Sequence, residues 1–138
     1  MPERSVARMF KHTITHAGDR PVVLMDSISS VAEADAGSIV VSASHGGVSS
    51  GEFATRHVLG ACFFNDAGVG KDRAGIAALA MLQEIGVAGA TLSHDTACIG
   101  DARDHWEYGV VSHVNEVAAA AGVEPGQPVQ SAVARLGA

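Results

Sequence analysis

Three stretches of the chain carry side chains able to move protons or hold negative charge: Ser42-Ala43-Ser44-His45-Gly46-Gly47, Asn65-Asp66-Ala67-Gly68-Val69-Gly70-Lys71-Asp72, and the segment 93–103 with His94, Asp95, Asp101 and Arg103. In the first, His45 supplies a group that takes up or gives a proton near neutral pH. Gly46 and Gly47 let backbone amides approach a ligand without a Cβ in the way, and Ser44 adds a hydroxyl. The alternative for the glycines is a tight turn into a helix. In the second, Asp66 follows Phe63-Phe64, and an apolar setting raises a carboxylate's pKa toward a useful range. Its rival role is to cap a turn. Asn65, Gly68, Gly70 and Lys71 then read as substrate contacts, with Lys71 either a cationic anchor or a solvated helix-start residue.

The second stretch is not a nucleotide loop. A phosphate-binding loop needs Gly, four residues, then Gly-Lys and a hydroxyl residue, and here Asp72 stands where the hydroxyl should be. In the third stretch, His94 suits general acid/base work once a carboxylate orients it. Asp95 is adjacent, but neighbouring residues of an extended chain face opposite ways, which makes Asp101 the alternative partner. Arg103 offers a planar fork for a substrate carboxylate, or pairs with Asp101 or Asp104 at the surface. Cys98 is read as a small buried thiol rather than a nucleophile, and Cys62, within Ala61-Cys62-Phe63-Phe64, as core. His12, His16 and His57 show no clustering, and His113 and Asn115 read as helix-surface residues. His105, Trp106 and Tyr108 lie where they could cover a pocket, meet another subunit or cap the core.

His45, Asp66, His94, Asp95 and Asp101 together could ligate a metal, but no HExxH, paired CxxC or EF-hand spacing is present. The expectation is chemistry without a cofactor, a divalent metal being the lesser alternative. No Gly-x-Ser-x-Gly elbow is present, so a serine hydrolase is not expected either.

Bringing these stretches together requires elements that end at one rim. Four short apolar runs, at 22–25, 38–41, 61–64 and 90–92, read as strands, and their lack of alternation suits strands covered on both faces. Between them, Ser30-Val31-Ala32-Glu33 and Ser49-Ser50-Gly51-Glu52 have capping-box spacing, and the Ala- and Leu-rich stretch from Ala74 to a stop at Gly86 reads as the clearest helix. Helices are expected again at 104–108, 110–121 and 128–136, with no fifth strand. The first twenty residues read as a helix with Val6, Met9, Phe10 and Ile14 on one side, or as an arm. The pattern predicts one α/β domain over 1–138: a three-layer sandwich with a mostly parallel sheet of about four strands and C-terminal helices. In such sheets ligands bind beyond the carboxyl ends of the strands, where all three polar stretches fall.

Composition narrows the partners. With 138 residues and 47% apolar residues the chain can bury a core. Nine Lys plus Arg against fifteen Asp plus Glu give a net charge of −6, which disfavours nucleic acid and anionic membrane surfaces. Two cysteines, no apolar run long enough to span a bilayer and no leader-like N-terminus point to a cytoplasmic protein with reduced thiols. The residues suggest a small enzyme of hydrolase, lyase or isomerase type acting on a small anionic or amide-bearing metabolite, and a homo-oligomer. In that reading His45 and His94 move protons, Asp66 and Asp101 tune them, and Lys71 and Arg103 hold negative charge. The alternatives are a non-catalytic small-anion sensor or enzyme subunit, and a phosphoryl-relay domain phosphorylated on His45.

Overall fold

The computed structural model describes residues 10–138 and contains one six-stranded sheet. Its strands are β1 (Lys11–Ala17), β2 (Arg20–Met25), β3 (Ile39–His45), β4 (Ala61–Asn65), β5 (Ala88–Leu92) and β6 (Val111–Val114), and they lie side by side in chain order. β2 to β5 are parallel, while β1 and β6 run antiparallel to their neighbours at the two margins. The helices are α1 (Val48–Ala54), α2 (Ala78–Glu84), α3 (Ala102–Tyr108), α4 (Glu116–Ala120) and α5 (Val129–Gly137). The α/β sandwich expected from the sequence is present, and its parallel centre falls on the four apolar runs.

Strand order explains the layers. Successive parallel strands always step in the same direction, so crossovers of one hand must all lie on one face. That face holds Ile28, Ala54, Leu59, Ile76, Ala78, Leu79 and Leu82 against Val23, Met25, Val40, Cys62 and Phe64. The opposite face of the same strands, with Val22, Leu24, Ile39, Val41, Phe63 and Leu92, is left for the C-terminal part of the chain. Ala102 of α3, Ala118 of α4 and Ala132 and Val133 of α5 cover it. Each central strand is thus apolar on both sides, which removes the alternation seen in half-exposed strands.

Four local expectations are corrected. Lys11–Ala17 is a strand and not part of a helix: Gly18 (φ +59°) and Asp19 form a two-residue turn between the paired Ala17 and Arg20, giving a β-hairpin. The residues 1–9 lie outside the described part of the chain, Val6 and Met9 among them. The first crossover has only short 3-10 turns at Ile28–Ser30 and Glu33–Asp35, and Asp35 rather than Ser30 closes the second by accepting from the Ala32 amide at 2.8 Å. The third crossover begins as a 3-10 segment, Lys71–Ile76, before α2. Within 110–121 a strand, β6, precedes α4, because the Asn115 side chain accepts from the Ala118 amide (2.9 Å) and starts the helix there.

Candidate functional site

Beyond the last ladder residue of β4, the Asp66 amide donates to Leu92 O (2.9 Å), which carries the pairing one step further and sets Asp66 beside the exit of β5. Asp66 is 4% exposed. Its Oδ1 accepts from the backbone N–H of Gly68 at 2.8 Å, from the backbone N–H of His94 at 3.1 Å and from His94 Nδ1 at 3.1 Å. A carboxylate can only accept, so Nδ1 carries the proton and Nε2 is the ring's outward atom. His94 is half exposed, lies over Gly68, and turns Nε2 toward the freely exposed Asp95 carboxylate at 3.3 Å. The chain therefore presents an oriented imidazole backed by a buried carboxylate.

The ionisation of Asp66 departs from what its apolar neighbours suggested. Burial pushes the carboxyl upward, but the Ser112 hydroxyl, the Gly68 and His94 amides and the His94 ring together outweigh it and hold the group below the ordinary carboxylate value. The Ser112 hydroxyl has its formed hydrogen bonds with Thr91 and His113, so it acts on Asp66 as a nearby dipole.

Asn65, expected as a substrate contact, is fully buried and faces the other side of β4. Its Oδ1 accepts from the Ala67 amide (2.8 Å), and its Nδ2 donates to Ala97 O (3.0 Å) and to His105 Nε2 (3.1 Å). His105 in turn donates from Nδ1 to Asp101 O at 2.7 Å. A carbonyl below one nitrogen and an amide donor at the other require the neutral ring. Burial, which outweighs the pull of Asp101, Asp104 and Asp26, lowers its pKa from the usual histidine value. Asn65 thus ties together the loops that carry Asp66 and His94.

The remaining expected residues are distributed around this core. Asp101 caps α3, accepting from the Asp104 amide at 3.0 Å. Arg103 stacks on the Phe10 ring, 4.6 Å from its centroid. Ser44 Oγ accepts from the Ile28 amide at 2.9 Å, and Lys71 is exposed at the start of the 3-10 segment. His45 ends β3, the neighbour of β4, and its Nδ1 accepts from the Gly47 amide at 3.0 Å; it shares no hydrogen bond with Asp66 or His94. Gly46 is a packing residue, since a Cβ there would stand 2.7 Å from Gly75 O and 3.3 Å from Thr91 Cγ2. The amides of Gly46, Gly47, Ala67, Gly68, Val69 and Gly70 all bond within the protein, which leaves them committed rather than aimed at a ligand. Cys98 is exposed, contrary to the buried reading, whereas Cys62 is buried and its thiol is pushed well above its usual pKa.

Sequence reasoning gave Thr91 and Ser112 no role and read His113 and Asn115 as helix-surface residues, whereas His113 lies in β6 and Asn115 is a buried cap. Thr91 pairs with His113 and Leu92 with Val111, so Ser112 is an extra residue in β6. Such a bulge re-aims side chains. Here it brings Ser112 Oγ and His113 Nδ1, neighbours that an unbroken strand would send to opposite faces, within 3.2 Å of each other and both onto Thr91 Oγ1 at 2.9 and 3.3 Å. Ser112 and His113 open onto a cavity of about 530 Å³ between α2 and β6, also lined by Asp72, Arg73, Ile76 and Ala77. Asp66 and His94 do not line it; Ser112 is where the two regions meet. No apolarity pattern marks a bulge, and the Val110, Val111, Val114, Val117 spacing imitates a helix.

No protein-family model, curated protein or solved structure matches this chain. Among the described residues, no cluster of three or more His, Cys, Asp or Glu side chains is placed to hold a metal ion, and no helix is long and apolar enough to cross a membrane.

Proposed function

We propose that the chain is a small enzyme in which His94, oriented by Asp66, exchanges a proton with a compact anionic or amide-bearing metabolite. The observation that supports this reading is one carboxylate oxygen that receives both the backbone N–H and the Nδ1–H of the same histidine. The ring cannot turn without giving up that bond, and an ionised Asp66 favours the imidazolium formed when Nε2 takes a proton. Removal of a proton from water or from an acidic C–H is the shared first step of hydrolysis, elimination and isomerisation. The Asp66–His94 pair serves that step in each. An anion sensor built on the glycine amides has less support, because those amides already have partners. The same reading takes the protein as cytoplasmic, supported by the free thiols Cys62 and Cys98, and as self-associating, supported by exposed Val48, Val58 and Tyr108, and it invokes no cofactor.

Carbethoxylation by diethyl pyrocarbonate, mapped by peptide mass, tests the pair without a known substrate. His94 is expected to react faster than the other exposed histidines, His12, His16 and His45 among them, and to slow in Asp66→Asn. Any turnover found across a panel of small amides and carboxylates is expected to vanish in His94→Ala with the fold intact. Full activity in that variant, or a His94 rate indifferent to Asp66, refutes the assignment.

A further inference from the structure

The cavity beside β6 is lined by polar side chains that differ in how far they are tied into the fold. Gln83 and Asn115, which also line it, are consumed structurally: Gln83 Oε1 accepts from the Glu116 amide at 2.8 Å, and Asn115 bonds Gly89, Ala118, Leu79 and Val87. Arg73 is different. It lines the same space, is exposed, and forms no ion pair among the described residues. Its backbone and that of Asp72 lie in the left-handed region at φ 59° and 57°, where side chains other than glycine are costly. The segment is held there by Gly75 N–H to Val69 O (2.7 Å) and Arg73 N–H to Gly70 O (3.3 Å). Facing it, the β6 bulge turns Ser112 and His113 into the cavity.

We infer that this cavity binds a small monocarboxylate, with its carboxylate on Arg73 and a hydroxyl or amide on Ser112 and His113. A guanidinium fork without an internal partner matches a carboxylate in geometry as well as charge. Asp72 stands beside it at the mouth and sets the charge limit: a second carboxylate meets repulsion, while a hydrogen-bond donor is welcome. About 530 Å³ suits a ligand with a ring or short chain lying along Ala77 and Ala80. The cavity lies beside the acid/base pair without including it, and binding at Arg73 does not depend on proton transfer at His94.

Mandelate, mandelamide and phenylmalonate share a ring and differ in charge, and titrating each into the full chain by amide NMR tests the site. Mandelate is expected to shift Arg73, Ser112 and His113 saturably, mandelamide not at all, and phenylmalonate with lower affinity than mandelate. Arg73→Ala should weaken mandelate about tenfold, the usual scale for one charge-assisted bond, and Arg56→Ala should change nothing. No saturable mandelate shift, or one indifferent to Arg73, overturns the inference. His94→Ala separates it from the acid/base reading: wild-type mandelate affinity with slowed chemistry supports both, and lost affinity overturns the placement of the ligand. Wild-type affinity with unchanged turnover leaves the binding site standing and removes the proposed role of His94.

Discussion

Two histidine–aspartate neighbourhoods lie at the same end of the sheet, one on each face, and they are wired in opposite ways. At His94 the acceptor is the Asp66 carboxylate, the ring is half exposed, and the charged form of the partner is stabilised. At His105 the acceptor is the Asp101 backbone carbonyl, the ring is buried, and the Asp101 carboxylate is occupied in capping α3. Residue types are the same in both. What separates a group fit for proton transfer from a structural one is which oxygen accepts and whether the second ring nitrogen reaches solvent.

The largest contrast is in stability. His105→Ala removes a buried ring and leaves Asn65 Nδ2 and Asp101 O short of a partner, and should cost about 3 kcal/mol. His94→Ala changes a half-exposed side chain and should stay within about 0.5 kcal/mol. Urea denaturation of both variants measures the difference. Equal losses would mean that the two neighbourhoods are not structurally distinct.

The pH dependence sharpens the same contrast. The folded pKa of His105 lies below its unfolded value, so between the two the unfolded chain binds more protons and stability falls as pH drops. The loss should begin below about 6.5, with a slope of at most about 1.4 kcal/mol per pH unit from one group. Asp66 is likewise depressed, and its contribution, present above the ordinary carboxylate range, is lost in a separate, more acidic step. His105→Gln keeps a donor and an acceptor but cannot titrate. Urea midpoints between pH 7.5 and 5 should therefore flatten in that variant and keep the wild-type slope in His94→Gln.

How much of this was readable from the residues follows from what each signal encodes. Burial on both faces writes itself as continuous apolar runs, which is why 22–25, 38–41, 61–64 and 90–92 gave the parallel centre. At the margins β1 is exposed almost throughout and β6 part-buried, and the two mix Lys, His and Thr with Val and Ile, so they lacked that mark, though Gly18-Asp19 between Thr- and Val-rich segments was a hairpin signal. Asp66 and His94 were legible because they directly follow strands. Their pairing was not, since it depends on the Asp66 amide extending the ladder to Leu92. Polar residues near a strand end do not declare whether they face a ligand or the backbone: Asn65 turned inward to bridge two loops, Ser44 bonds the Ile28 amide, and Asp101, though exposed, caps α3.

Asp101 provides the smallest and most discriminating comparison. Were it the orienting partner of a catalytic histidine, Asp101→Ala would impair proton transfer as severely as Asp66→Asn. As the α3 cap it accepts one amide, from Asp104, and its truncation should cost about 1 kcal/mol, most of it restored by Asp101→Ser. His94 carbethoxylation should proceed at the wild-type rate in both variants, because the Nδ1 bond to Asp66 does not pass through α3. A His94 rate that falls in Asp101→Ala and recovers in Asp101→Asn but not Asp101→Ser would instead join the two faces into one site, with Asn65 as the bridge.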